Sequence, residues 1–374
     1  MTANELSRRE FVRDTAARAV GVAVGTSLVA GAWNIVPAGA AEVPDAVKHT
    51  RNYNSNMEYR RLGKTGLWVS AVCMGGHWKR VDTVVSRVRQ GSGWVDIGLG
   101  NPEFEKNRHD VVSRCIDRGI NYIDACMGSE VNAYSKALKG RRDKMHLGYS
   151  WCEKEMRSPA HRTFKALKKS MEDGFKETGL DYVDLWRVTC FEDSGRHTDG
   201  EIQELVKALE WAKQSGMARF TGISSHDRPH IKRLITQYPE QLDVICTPYT
   251  AKTKVVEDAA GLWTAMKKLD VGWFGIKPFA SNSLFKGTSK PGDPHEEEDS
   301  RLARLAIRYI LCNAAITAPI PGLITAAQVD NVAMAVAERR ELDLAEKAEL
   351  EQAMERAWAN LPYHYQWLKD WEYV

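Results

Sequence analysis

Several thiol and imidazole side chains stand just beyond the ends of neighbouring predicted strands. They are Cys126, Cys152, Cys190, His77, His226 and Cys246. If they converged on one cavity, they could hold a soft metal or an iron–sulfur centre. Cysteine is also among the most buried residue types and packs well in interiors. The sequence therefore favours buried thiols, and a metal- or iron–sulfur-binding barrel is the minor alternative.

The composition excludes several classes of protein. Hydrophobic residues make up 43% and charged residues 27% of the 374 residues, as in a globular protein with a large core. The net charge is only +3 and no basic run carries interleaved aromatic residues, so we expect no nucleic-acid partner. The seven cysteines are odd in number and contain no Cys-x-x-Cys pair. This pattern argues against a disulfide scaffold and a zinc ribbon.

Short apolar runs alternate with helical patterns from Glu58 onward. Each run is flanked by Gly, Asp, Asn or Pro, as expected of strands that are buried on both faces. The predicted strands are 68–74, 121–125, 144–150, 182–188, 220–224, 243–249, 272–279 and 317–321. Eight β/α units predict a closed (β/α)8 TIM barrel over residues 58–340.

Longer segments interrupt or follow this rhythm. Residues 80–108 and 289–300 should form loops at the C-terminal rim, where such barrels bind ligands. A helix is predicted over 158–176, opening with Ser158-Pro159. Within the C-terminal part, 341–374, an amphipathic helix over 344–360 precedes an aromatic tail, 363–373. We expect this tail to pack across the barrel or against a partner.

The N-terminal segment, 1–40, has the features of an export signal. Paired arginines in Ser7-Arg8-Arg9-Glu10-Phe11-Val12 precede a weakly apolar stretch that ends in Ala38-Gly39-Ala40, a site for cleavage before Ala41. This pattern looks like a twin-arginine signal, which predicts a location in the periplasm or on the cell exterior. An uncleaved membrane anchor is the alternative. No later segment is apolar enough to span a bilayer, so we expect a mature chain without a transmembrane segment.

Several motifs, taken in order, resemble the aldo-keto reductase family. They are 59–70 (YRRLGKTGLWVS), 119–124 (GINYID), 137–144 (ALKGRRDK), 180–185 (LDYVDL), 222–226 (GISSH) and 320–322 (IPG) with Gln328 and Asn331. The likeness covers residues 58 to about 336. It implies a barrel with an N-terminal hairpin that plugs its bottom, and a C-terminal helix and tail added to it.

The resemblance also implies a catalytic site. The family transfers hydride between NADPH and a carbonyl, with a tyrosine whose pKa is lowered by a lysine paired to an aspartate, and with a histidine that orients the carbonyl. Asp124 matches the aspartate. Ser129 stands where the family has its tyrosine, Ser150 where it has its lysine and Thr189 where it has its histidine. The proton-transfer group of the family is therefore broken here, and Asp124 is either catalytic or a hydrogen-bonded rim carboxylate.

The cofactor side matches the family better. The candidates for binding NADP or NAD are Gly76, His77, Trp78, Ser224, Ser225, Lys277, Gly322, Gln328 and Asn331. Lys277 could meet the pyrophosphate as a point charge. The arginine that usually grips the 2′-phosphate is replaced by Ile324, which leaves preference for that phosphate open.

Two functions follow from these observations. The first is a diverged oxidoreductase, NAD(P)-linked and acting on a small molecule outside the cytoplasm. Its substrate pocket would be formed by Tyr149, Trp151, Trp186, Thr189 and His226, because aromatic rims stack on flat ligands. The second is a catalytically inactive barrel that serves as a binding or complex-forming subunit.

Overall fold

The computed structural model of the chain describes residues 35–86, 88, 100–190, 197–253 and 261–369. Eight parallel strands form one sheet in which each strand pairs with the next along the chain. A parallel bridge between Gly75 and Gly322 joins the first strand to the segment after the last. The predicted (β/α)8 barrel is therefore confirmed. Its strands are β4 (Met74–Gly75), β5 (Tyr122–Ala125), β6 (His146–Tyr149), β7 (Val183–Thr189), β8 (Ala218–Ser224), β9 (Val244–Pro248), β10 (Gly272–Ile276) and β11 (Ala318–Pro319).

A small antiparallel sheet covers the bottom of the barrel, as the family resemblance predicted. Its strands are β1 (Ile35–Val36), β2 (Tyr59–Arg61) and β3 (Trp68–Ser70). The hairpin meets the barrel where Gly63 has a φ of +49° and an added Cβ would lie 2.3 Å from the Gly272 nitrogen. Glycine is therefore required there.

The predicted first strand, 68–74, was wrong in its extent. Residues 68–70 pair with β2 in the hairpin sheet, and only Met74–Gly75 joins the barrel. The apolar run is continuous because both sheets bury it, so its pattern could not show the break. Residues 35–36 fall in the predicted leader, yet they pair with β2. Cleavage before Ala41 stays a prediction, and it would remove that edge strand.

Helices separate the strands on the outside of the barrel. Their bounds are α1 (Asp45–Lys48), α2 (Pro102–Asp117), α3 (Gly128–Ala137), α4 (Phe164–Thr178), α5 (Asp199–Gln214), α6 (Arg228–Gln237), α7 (Leu262–Leu269), α8 (Glu296–Leu311), α9 (Ala326–Ala337) and α10 (Leu344–Ala359). No helix within the described ranges is long and apolar enough to cross a membrane.

Two predicted boundaries were wrong. The helix predicted from Ser158 begins at Phe164, because Thr163 caps it through the Ala166 amide and Ser158-Pro159 opens a separate 3-10 turn. The loop predicted over 289–300 ends at α8, whose first turn contains the acidic residues that such a position favours. Much of the other predicted loop, 80–108, lies outside the described residues, and α2 begins at Pro102.

The barrel bottom is held by one buried carboxylate. Asp184 at the start of β7 is fully buried and accepts hydrogen bonds from Arg51, Arg142 and Arg219 at 2.7–2.9 Å. Burial acts to raise the pKa of Asp184, but the charges of Arg51 and Arg142 outweigh it and hold that pKa well below its usual value. The cluster ties the N-terminal segment and two barrel strands together.

Replacement of Asp184 with Asn should lower the free energy of unfolding by about 3–5 kcal/mol, because it removes the buried counter-charge of three partly buried guanidinium groups. Urea unfolding at pH 7 measures this. The contribution of Asp184 is fully present above the carboxyl's unfolded pKa and is lost as the pH falls below it. The exposed Asp181→Asn is the matched control. Equal stability of the two variants would contradict the assigned role.

Candidate functional site

The C-terminal rim carries an elongated crevice made of two adjoining cavities. The smaller cavity has a volume of about 110 Å³ and reaches Asp124, Cys126 and Arg187. The larger cavity, of about 340 Å³, extends between the loop after β10 and the start of α9. The two share Lys79, Phe279, Asn282 and Gly322. A single extended ligand could therefore span both.

Most of the predicted cofactor residues meet at this crevice. Gly76, His77, Ser224, Lys277 and Gly322 line the smaller cavity. Gly322, Gln328 and Asn331 line the larger one.

Trp78 and Ser225 are not among the residues that line the crevice. Trp78 is buried and donates its indole N–H to the Tyr134 hydroxyl at 2.7 Å. The Ser225 hydroxyl accepts the Asp227 amide in a local turn. Tyr134 also donates to the Gly75 carbonyl at 2.6 Å, so this fully buried side chain holds α3 against the end of β4.

The backbone around the crevice is unusual for residues with side chains. His77, Lys277, Ser281 and Asn282 all have φ between +54° and +69°, and all line the smaller cavity. Left-handed non-glycine residues are costly and cluster where a binding or catalytic site constrains the chain. Their concentration here marks this part of the rim as the functional end of the barrel.

A buried ion pair forms the floor of the smaller cavity. Arg187 on β7 donates to Asp124 on β5 through two nitrogens, at 3.0 Å and 2.5 Å. Both side chains are almost fully buried. Although burial opposes the charge, Asp124 raises the pKa of Arg187 well above its ordinary value. The arrangement places a permanent cation beside the carboxylate where the family resemblance implied a lysine.

Arg187 was missed in the sequence. A charged residue inside an otherwise apolar strand was the available signal, because strand alternation puts Arg187 on the same face as buried Leu185. Gly148 on β6 pairs with both Asp124 and Leu185. Without a side chain on the intervening strand, the arginine reaches across to the aspartate.

The same alternation explains where the predicted substrate residues lie. Trp186 pairs with Tyr149, and both point outward to the helices, where Tyr149 packs edge-on against Phe175. Trp151 is buried next to Gly128. These three aromatic residues do not line the crevice.

The hydroxyls that replace the family's lysine and histidine are hydrogen-bonded to each other. The Ser150 and Thr189 oxygens are 2.8 Å apart, and Ser150 donates to the Glu155 carboxylate at 2.5 Å. Burial raises the pKa of Glu155 to about 7. Ser129, at the expected position of the tyrosine, is the second residue of α3 and does not line the crevice.

Cys126 is the thiol that faces the crevice. A hydrogen bond with Cys152 and the positive charges of Arg187 and His77 lower the pKa of Cys126, against the effect of burial. Cys190 is fully buried, and burial raises its pKa to about 12. Among the residues that the structure describes, no three His, Cys, Asp or Glu side chains are grouped to hold a metal ion.

The aromatic tail crosses the mouth of the crevice. Trp367 stacks on His226 with ring centroids 3.9 Å apart, so His226 is covered by the tail. The Tyr365 hydroxyl contacts the amine of Lys79. Burial acts to raise the pKa of Tyr365, but Lys277 and Lys79 lower it to about 8. Residues 370–373 of the predicted tail lie outside the described residues.

The amino-acid sequence is similar to those of known proteins. The model of the Aldo/keto reductase family matches residues 92–355. L-galactose dehydrogenase of Arabidopsis thaliana is 25% identical over 315 residues, which cover 78% of this chain and 91% of that protein. L-glyceraldehyde 3-phosphate reductase of Escherichia coli (strain K12) is 25% identical over 265 residues, 66% of this chain and 68% of that one.

Solved structures share the architecture. The holo form of an aldo-keto reductase from Bacillus halodurans superimposes with a TM-score of 0.56, covering 79% of this chain and 96% of the other at 21% identity. At 21% sequence identity, this likeness is evidence for a shared fold and not for a shared activity.

Replacement of Arg187 with Gln should raise the pKa of the Cys126 thiol by about one unit, which slows its alkylation at pH 5, below that pKa, about tenfold. The reason is that the thiolate loses a neighbouring cation. Iodoacetamide labelling in a Cys312→Ser background, followed by peptide mass spectrometry, measures the rate. Arg228→Gln, which removes a buried arginine over Trp263, is the control. An unchanged Cys126 rate in Arg187→Gln would refute the influence of that cation.

Proposed function

The chain belongs to the aldo/keto reductase family, and from that premise we propose that it is an NAD-linked oxidoreductase acting on a small hydroxylated carbonyl compound outside the cytoplasm. The continuous crevice from Cys126 and Arg187 to Gln328 and Asn331 carries the proposal. A dinucleotide is the extended ligand that a family member would place there.

The residues present fit such a cofactor. Lys79 and Lys277 stand at the smaller cavity, where they would face the pyrophosphate. An added Cβ on Gly322 would lie 2.6 Å from the Gly76 carbonyl, so glycine is needed where these two segments meet at the crevice. When bound, the nicotinamide would supply or accept a hydride.

Arg187 and Cys126 would handle the charge and the proton at the reacting carbon. Arg187 is held in place by Asp124, so its cation would stabilise negative charge that develops on the substrate oxygen without first reorganising. The Cys126 thiol is partly exposed and would give a proton to that oxygen during reduction or take one during oxidation. A group whose pKa is shifted toward neutrality suits this exchange. These two residues would replace the lost tyrosine, lysine and histidine.

The substrate class follows from the cavity and from the relatives. The smaller cavity combines apolar residues with charged and polar ones, among them Asp124, Arg187 and Ser224, and its volume of about 110 Å³ suits a small substrate. The two relatives have names that refer to L-galactose and to L-glyceraldehyde 3-phosphate. Both compounds are small hydroxylated carbonyl molecules, which supports that class here.

The larger cavity favours NAD over NADP. Besides two lysines, Lys79 and Lys290, three carboxylates line it, which leaves an excess of negative charge: Asp293, Glu296 and Asp299. They would repel a 2′-phosphate but could accept hydrogen bonds from a ribose hydroxyl. Ile324 also lines this cavity and offers no positive charge.

The proposed location depends on the leader. The twin-arginine pattern supports export of the folded chain, which would carry a bound dinucleotide with it. The N-terminal residue of protein recovered from the periplasmic and membrane fractions would test cleavage before Ala41.

The second function, a binding subunit without catalysis, is favoured by one observation. The Tyr365 hydroxyl accepts a hydrogen bond from the amine of Lys79, which is one of the two cations proposed to bind the pyrophosphate. If the tail never leaves, Lys79 stays bonded to Tyr365 and does not meet a pyrophosphate. The following two measurements separate the functions.

NADH should bind the purified chain about tenfold or more tightly than NADPH, since a 2′-phosphate would enter the acidic cavity; tenfold corresponds to about 1.4 kcal/mol. Quenching of tryptophan fluorescence measures both dissociation constants. Glu296→Gln should lower the ratio of the NADPH dissociation constant to the NADH dissociation constant. Glu297→Gln should leave that ratio unchanged, because Glu297 is exposed and does not line the cavity. Tighter binding of NADPH would overturn the NAD preference, and saturable binding of neither would overturn the proposed function.

Tyr365→Phe should raise NADH affinity about fivefold, because it removes a hydrogen bond to Lys79 worth about 1 kcal/mol that must break before the lysine meets a phosphate. The same titration measures it. Tyr363→Phe is the matched control, since Tyr363 is 94% exposed. Weaker binding in Tyr365→Phe would mean that the phenol belongs to the closed complex rather than competing with the nucleotide.

A further inference from the structure

A continuous line of hydrogen-bonding groups leads from the crevice into the barrel wall. The Cys126 sulfur is 3.7 Å from the Thr189 hydroxyl oxygen, which is 2.8 Å from the Ser150 oxygen. Ser150 is 2.5 Å from a carboxylate oxygen of Glu155. Ser150, Glu155 and Thr189 are almost fully buried, while Cys126 is partly exposed. The line therefore has one end at the solvent-accessible crevice and one in the interior.

The two ends fix the direction of the hydroxyl protons. Arg187 can only donate, and it donates to the Thr189 oxygen at 3.2 Å. An ionised Glu155 can only accept, so Ser150 donates to it and Thr189 donates to Ser150. The remaining lone pair of Thr189 is then available to the thiol proton of Cys126. Every hydroxyl in the line is satisfied in this state.

Within the part of the chain that the structure describes, no cation pairs with Glu155 to hold it ionised. Its carboxylate accepts the Thr189 amide at 2.7 Å, and the Trp151 amide and Trp186 indole at 3.0 Å each, besides Ser150. These neutral donors offset burial only in part, and burial raises the pKa of Glu155 to about 7. Trp151 and Trp186 were predicted to line a substrate pocket. In the structure they instead pack around Glu155 and donate hydrogen bonds to its carboxylate.

We propose that Glu155, Ser150 and Thr189 exchange a proton with the Cys126 thiol and so keep that thiol in the protonation state which the reaction needs. The role in catalysis rests on the proposed function, whereas the proton exchange does not. Glu155, Ser150 and Thr189 are positioning residues, since only Cys126 reaches the crevice. Ser150 and Thr189 stand where the family resemblance implied a lysine and a histidine.

The exchange balances without an oxidant or a reductant. The Cys126 proton passes to Thr189 as the Thr189 proton passes to Ser150 and the Ser150 proton to Glu155, which leaves a thiolate and a neutral carboxylic acid. All hydrogen bonds in the line then point the other way, with Thr189 donating to the sulfur. Loss of both protons is disfavoured, because the two hydroxyls cannot donate to both anions and to each other. Cys126 and Glu155 should therefore titrate as a pair.

Other titratable groups face the two ends. Those acting on Cys126 are Cys152, Arg187, His77, Glu130 and Cys246. Those acting on Glu155 are Tyr149 and Cys190. His77 is the one that could itself add a step near neutral pH, since Glu130 raises the pKa of His77 despite its burial. We call the proton exchange between Cys126 and Glu155 through the two hydroxyls the relay. The test must separate the titration of His77 from this relay.

The test is the pH dependence of Cys126 alkylation by iodoacetamide, under a phosphine reductant, in a Cys312→Ser background. Cys312 is the exposed cysteine of the described residues, and peptide mass spectrometry isolates the Cys126 product. The relay predicts a rate that rises in two steps separated by about one pH unit or more. Ser150→Ala and Thr189→Val should each give a single step, because the line is broken. Thr189→Ser, which keeps the hydroxyl, should restore both steps.

Further variants test whether the second step depends on Glu155 and on the line of hydroxyls. Glu155→Gln should also give a single step, and the hydroxyl variants carry the test if it fails to fold. Ser170→Ala, which removes a buried hydroxyl bonded to the Lys154 carbonyl, should keep both steps. A single step in the reference protein, or two steps in Thr189→Val as His77 alone would produce, overturns the relay. Nucleotide plays no part in this experiment, so a failure to bind NADH would overturn the proposed reaction and leave the relay standing.

Discussion

The buried pair between Asp124 and Arg187 is the contact on which the functional end of this barrel depends. The Arg187 side chain is only 3% exposed, so its guanidinium needs a counter-charge. The Asp124 carboxylate, two strands away across Gly148, supplies it by accepting from two nitrogens. Arg187 then holds the Thr189 hydroxyl and lies 3.9 Å from the Cys126 sulfur. Removal of either partner would leave an uncompensated charge beside the thiol. The chemistry of the crevice is therefore set by this pair.

The cofactor side and the proton side of the site have diverged to different extents. Glycines, lysines and left-handed backbone shape an extended crevice, which is where we propose that a dinucleotide binds. On the proton side, the tyrosine, lysine and histidine that the family resemblance implied are absent. An arginine, a thiol and a buried carboxylate that two hydroxyls connect stand in their place. In the proposed function these groups form a rebuilt acid–base system rather than the remains of a lost one.

The sequence was sufficient to predict the barrel, the order of its strands, the plug and the position of Asp124, because those features follow from local patterns in a fixed order. It could not show that Arg187 meets Asp124, since the contact needs the register of three strands and the absence of a side chain at Gly148. Glu155 carried no local signal, because it lies in a loop and its pKa depends on the burial that Trp151 and Trp186 provide. The aromatic residues predicted for the pocket failed for a related reason. Tyr149 and Trp186 alternate with inward residues and face the helices.

The most direct test of the proposed function is a crystal structure of the purified chain with saturating NADH. If the chain binds the dinucleotide as proposed, the nicotinamide will lie in the smaller cavity against Cys126 and Arg187. The adenosine will then lie in the larger cavity among its carboxylates, and the contact between Tyr365 and Lys79 will be broken. A crevice without nucleotide at saturating NADH, with that contact intact, would contradict it and leave the barrel as a binding subunit.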